Sequence, residues 1–183
     1  LGLAEVDGTA FYRLFSRPRF EEARLAGCLF GETLAHSRLD EPYVVGIDGT
    51  QIPRTSQKLP GSSWLRAPRT PVFKPGIHRA QRFLHGAWLP AVVTGYTRAI
   101  PLRCLPAFPA KARPAEAPPC KEWEAGLAFI GWLRQQLDAA GRAGQRLVVL
   151  ADGAFDTLGL WQSLPGRVTL LVLDGADHFF RDL

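Results

Sequence analysis

Two acids stand out in this sequence by where they fall. Asp48 sits near the end of a β-branched apolar run that begins at Tyr43, and Asp152 ends another, Leu147 to Ala151. A carboxylate in or just past an apolar strand is costly to desolvate unless a cation or hydrogen-bond donors satisfy it. Each is followed at once by glycine (Gly49 and Gly153), which permits a sharp turn and close approach of a backbone or ligand. Two such acids on adjacent strand ends can share divalent metals, and their hard oxygens suit magnesium or manganese. The plainer alternative is that each aspartate caps the turn or helix after its strand, and Asp152, with Thr157 downstream, suits that role too. Asp156 reads as a first-turn acid favouring the dipole of the next helix.

A second chemical signal is charge. Between Asp48 and Glu116 there is no acid, while eleven lysines and arginines fall in that stretch. Seven of them are Arg54, Lys58, Arg66, Arg69, Lys74, Arg79 and Arg82, with His78 and His85 close by. An all-cationic segment favours a polyanionic partner, because each phosphate neutralised releases counterions. The alternative is a solvated face whose acidic partners come from elsewhere in the fold. Trp64 lies in the same stretch and reads either as a stacking surface for a base or as a ring folded onto the sheet. His78 and His85 read as phosphate contacts, proton carriers or passive surface groups.

The elements that must position these residues follow from periodicity. Residues 1–41 read as a helical segment, closed by Asp40-Glu41-Pro42. Tyr43 to Ile52 reads as a strand, Pro53 to Arg82 as a long loop, and Ala87–Tyr96 with Thr97–Leu105 as a hairpin. After a proline-rich connector, Cys120 to Ala140 reads as an amphipathic helix with Trp123, Leu127, Ile130, Leu133 and Leu137 on its apolar face, ended by Gly141. Arg146–Leu150 and Val168–Leu173 read as buried strands separated by a helix over Phe155–Leu164. The order predicts an α/β fold, a mixed sheet with helices on its faces. Trp88, Trp123, Trp132 and Trp161 read as core.

The 183 residues suffice for one sizeable core, and 46% apolar with 21% charged residues is an ordinary globular composition. No apolar run is long enough to span a bilayer and nothing resembles a signal peptide, so a cytoplasmic protein with no membrane partner is expected. Three scattered cysteines fit free thiols. The absence of methionine, even at position 1, leads us to expect a cut end at Leu1.

Four motifs occur in order: VGIDGTQIPRTS from Val45, PGSSW from Pro60, KPGIHRAQRF from Lys74 and LADGAFDT from Leu150. Together they resemble bacterial insertion-sequence transposases of the DDE superfamily, over about Leu39 to Val172. The resemblance implies an RNase H-like core over residues 42–183, with the helical segment 1–41 before it. It implies that the first catalytic, metal-binding aspartate is Asp48 and the second Asp152, with Mg2+ or Mn2+ as cofactor. The family's third acid is a glutamate on a helix beyond the fifth strand; no residue here matches it, and a chain truncated at its C-terminus is expected. The implied activity is strand cleavage and strand transfer at transposon ends, the partner is double-stranded DNA (transposon ends and target), and a homodimer on DNA is one arrangement. The DNA contacts are then expected from Arg54, Lys58, Arg66, Arg69, Lys74, His78, Arg79 and Arg82. Two further readings remain at this point: a DNA-binding remnant or domesticated module without catalysis, and an RNase H-like nuclease unrelated to transposition.

Overall fold

The computed structural model describes residues 21–56, 58–68, 70, 71, 73–91, 98–109, 111, 120–173 and, for backbone only, 178–181. At the centre is β1 (Tyr43–Pro53), whose β-branched residues favour extended backbone. It pairs antiparallel with β3 (Ile77–Trp88) on one side and parallel with β5 (Leu147–Asp152) on the other. β6 (Val168–Leu173) continues parallel to β5, and β7 (His178–Arg181) closes that side antiparallel to β6. β2 (Ser63–Arg66) and β4 (Ile100–Pro106) share the outer side of β3, β2 along Ile77–Ala80 and β4 along Phe83–Trp88. The result is one mixed sheet of seven strands.

Alternation decides where the core lies. Tyr43, Val45 and Ile47 of β1, Leu147, Val149 and Ala151 of β5, and Val168, Leu170 and Val172 of β6 are buried, whereas the residues between them are half-buried. Against that buried face pack α1 (Glu22–His36), α2 (Glu122–Ala139) and the short α3 (Leu158–Ser163). Phe30 of α1 meets Tyr43 and the Trp132 ring, and Phe129 of α2 meets Trp132, so aromatic rings tie both long helices to the sheet. Arg134, buried on α2, donates to the carbonyls of Arg142 and Gln145 and pairs with Asp138, fixing the turn that leads into β5. Gly141, in the left-handed region at φ 74°, lets the chain leave α2 there. Among the described residues no helix is long and apolar enough to cross a membrane.

Phe129 reaches the sheet because Gly86 has no side chain. A Cβ built at Gly86 would come within 2.2 Å of the Phe129 ring. Gly86→Ala should therefore destabilise the fold by about 1–3 kcal/mol through overpacking, read as a lower urea midpoint with an unchanged slope.

The α/β mixed sheet matches the expectation from sequence, and Val168–Leu173 matches to the residue. The long loop read over Pro53 to Arg82 does not: it holds β2 and the first half of β3. The outer part of β3 carries Ile77, His78, Arg79, Gln81 and Arg82, so it has no apolar alternation; its backbone pairing with β1 and β2 specifies it instead. The hairpin partner of β4 is accordingly the end of β3, and the turn expected around Gly95–Arg98 falls largely outside the described residues. The helix expected over Phe155–Leu164 is split. A single 3-10 turn, Gly153–Phe155, precedes α3, whose N-cap is Thr157; its hydroxyl accepts from the Leu160 N–H at 3.4 Å. Of the helical segment read over 1–41, α1 lies within the described residues.

Candidate active site

β1 and β5 run parallel, with Val45 beside Val149 and Gly46 beside Leu150. The pairing ends there, and Asp48 and Asp152 each lie two residues beyond it, at the same end of their strands. Both side chains are exposed. Asp152 also does what a cap does, accepting from the Ala154 N–H at 3.1 Å, so the capping role and an outward-facing carboxylate coexist. Asp48 makes no hydrogen bond or ion pair to a described residue, and its antiparallel neighbour on β3 is His85.

A third carboxylate lies close by, one that the sequence did not single out. Glu122 opens α2, and its Oε1 rests over Gly49, the residue after Asp48. A Cβ built on Gly49 would fall 1.4 Å from that oxygen, so a larger residue there would push the Glu122 carboxylate aside. Its other oxygen accepts an ion pair from Arg82 at 3.1 Å. Burial raises the Glu122 pKa above the ordinary carboxylate range; the Arg82 charge opposes that rise, and the charges of Asp152 and Asp48 add to it. Arg82 is only partly satisfied: its Nε is buried without a hydrogen-bond partner. A cavity of about 440 Å3 opens beside this pair, walled also by Leu65, Ala107 and Pro109.

The basic residues separate into two groups. Arg54 donates to the Gln81 side chain at 2.9 Å and Arg79 to Ser62 Oγ at 3.1 Å, while His78 shares a hydrogen bond with Gln51 at 2.7 Å. These side chains brace the β2–β3 ribbon. Lys58, Arg66 and Lys74 are exposed on and around it. Trp64 is not folded onto the sheet: it stands on β2 at 61% exposure, and Ile77 of β3 is exposed at 71%. Cross-strand pairing of Trp64 with Arg79 and of Arg66 with Ile77 puts these four on one face of the ribbon. Arg82, expected among the DNA contacts, points to the α2 side instead, and Arg69 lies outside the described residues. Asp156 precedes the N-cap of α3, one residue before the first-turn position read from the sequence, and accepts from the Trp161 indole N–H at 2.8 Å, which ties down that ring.

A family model for the DDE superfamily endonuclease matches residues 3–172 of the chain. The chain belongs to the DDE superfamily endonucleases. No curated protein and no solved structure matches it. The match accords with the RNase H-like mixed sheet expected from the sequence, with β4-β3-β1 antiparallel and β5 and β6 parallel beside them. Endonucleases of this superfamily generally use divalent metals. The residues present suit such an ion in kind: they offer hard carboxylate oxygens from two neighbouring strands. Among the described residues, no three His, Cys, Asp or Glu side chains already converge as a ready-made cage. Glu122 is drawn toward Arg82 instead.

Proposed function

We propose that this DDE endonuclease is the catalytic core of a DNA transposase, cutting strands and joining them at transposon ends, with Asp48 and Asp152 as its magnesium or manganese ligands. The observation that supports the reading best is that the two exposed aspartates lie towards the same end of adjacent parallel strands, each two residues past the last paired position. Ligands on a sheet are held more rigidly than ligands on loops. Bound there, divalent ions supply activation of the attacking oxygen and stabilisation of the leaving one. The protein's own part is to hold two carboxylates at fixed spacing, and to carry DNA past them on the basic ribbon that ends beside β1. The exposed lysines and arginine of that ribbon neutralise phosphates, and arginine's fork suits phosphate geometry.

Calorimetric titration of magnesium into the folded chain tests this, repeated with Asp48→Asn and Asp152→Asn, which preserve side-chain shape. Saturable binding that is lost in both variants is the expected result. A second reading, a DNA-binding module that does not cut, is favoured by the lack of a ready-made metal cage among the described residues. Duplex binding that persists with no magnesium uptake, or with uptake indifferent to both substitutions, would replace the first reading by the second.

A further inference from the structure

We propose that the cavity beside Arg82 and Glu122 receives a single unpaired base of the DNA. This rests on the reading of the chain as a DNA-cutting core, and names the part of that substrate which the cavity takes.

The first support is the chemistry of the walls. Leu65, Ala107 and Pro109 are apolar, and a volume of about 440 Å3 lies within the range of pockets that enclose a small organic ligand. The charged groups are two cations, Arg82 and Lys121, and two carboxylates, Glu122 and Glu124. Their formal charges cancel, so no net positive charge awaits a phosphate here. Donors and acceptors set among apolar walls suit a neutral flat ring whose edge carries both, which is what a nucleobase presents. A second support is hydrogen-bonding capacity that the fold leaves over. Arg82 makes one ion pair, to Glu122 at 3.1 Å, and a guanidinium carries further N–H groups that a base acceptor in the cavity would engage. Glu124 accepts from the Lys121 N–H through one oxygen at 2.7 Å, which leaves the other for a base amino group. The third support is place. Oε1 of Glu122 lies over Gly49, so one wall of the cavity adjoins the end of β1 that carries Asp48. Leu65 alternates with the exposed Trp64 and Arg66 along β2, so the cavity and the cationic face lie on opposite sides of one short strand. DNA that follows this ribbon to Asp48 passes the cavity on its way.

Fluorescence anisotropy in the absence of metal tests this on three duplexes of one sequence: fully paired, with one extra unpaired adenine, and with an abasic residue in place of that adenine. The extra adenine spares the cost of breaking a base pair, so capture of the base shows directly in affinity. That duplex should bind about tenfold tighter than either of the others, the order expected for one well-seated base. Leu65→Trp and Pro109→Phe fill the cavity from two sides, and each should abolish the preference. Circular dichroism and thermal melts establish that they are folded, and one folded variant suffices. Cys120, half-buried on the cavity wall, gives a readout that leaves the wall intact. In a Cys28→Ser/Cys104→Ser background, its alkylation by iodoacetamide should be slowed by the unpaired adenine and not by the abasic residue. A preference kept in both filled variants would overturn the proposal, and its loss in Trp64→Ala would then place the base on that ring. Equal affinity for all three duplexes, with Cys120 equally reactive in each, would overturn it too and leave the DNA-cutting reading standing. No affinity for any duplex would remove both.

Discussion

Asp48→Asn should lower magnesium-dependent nicking of supercoiled plasmid about a thousandfold while leaving duplex affinity equal or higher. A bound divalent ion contributes several kcal/mol to stabilising charge at a phosphoryl centre, and about 1.4 kcal/mol is tenfold in rate, so removing a principal ligand costs about three orders of magnitude. Asparagine keeps the size and one oxygen of aspartate but not the charge that holds a cation. The fold should be indifferent, because Asp48 is exposed and makes no hydrogen bond or ion pair to a described residue. DNA affinity should not fall, since the substitution deletes a negative charge from the face proposed to meet a polyanion. Asp152→Asn should behave alike in cleavage and retain the turn, because the asparagine oxygen can still accept from Ala154. Wild-type nicking by folded Asp48→Asn would refute the assignment outright; loss of both nicking and duplex binding would instead point to a structural role.

What the sequence made legible was what apolar patterning can carry. β1, β5 and β6 are runs of valine, leucine and isoleucine buried through one face, and α2 shows its stripe plainly, so the strands holding Asp48 and Asp152 could be found without coordinates. Two things were hidden for definite reasons. The outer half of β3 carries Ile77, His78, Arg79, Gln81 and Arg82, so its sequence shows no apolar alternation even though Ala80 and Gln81 are buried; backbone pairing rather than side-chain pattern holds it extended. Glu122 looked like any acid in the first turn of a helix, where negative charge is ordinary. Its place near both aspartates arises only from the packing of α2, when Gly126 seats on Phe155 and Ile47 and brings the first turn over Gly49. The one local hint is Gly49 itself, a glycine inside a strand, which often marks a close approach.

The same division between pattern and packing governs the basic ribbon, and leads to the second large effect. Replacing Lys58, Arg66 and Lys74 together by alanine should flatten the dependence of DNA affinity on salt, by roughly 0.9 in log–log slope for each phosphate left without its cation, hence up to roughly 3 in all. Among the described residues these are the exposed cations of the region. Arg54 and Arg79 are engaged with Gln81 and Ser62, so replacing them should disturb the ribbon before it disturbs phosphate binding. Arg82, turned to Glu122, should leave the salt slope unchanged when replaced. Trp64→Ala provides the contrasting case: a ring stacked on a base contributes about 1–3 kcal/mol that is largely insensitive to salt, so affinity should fall with the slope preserved. Filter binding or fluorescence anisotropy over a series of salt concentrations reads both quantities at once. An unchanged slope in the triple variant would mean that DNA does not run along β2 and β3. A flattened slope with no effect of Trp64→Ala would leave the ribbon as a phosphate track whose exposed ring meets something other than a base.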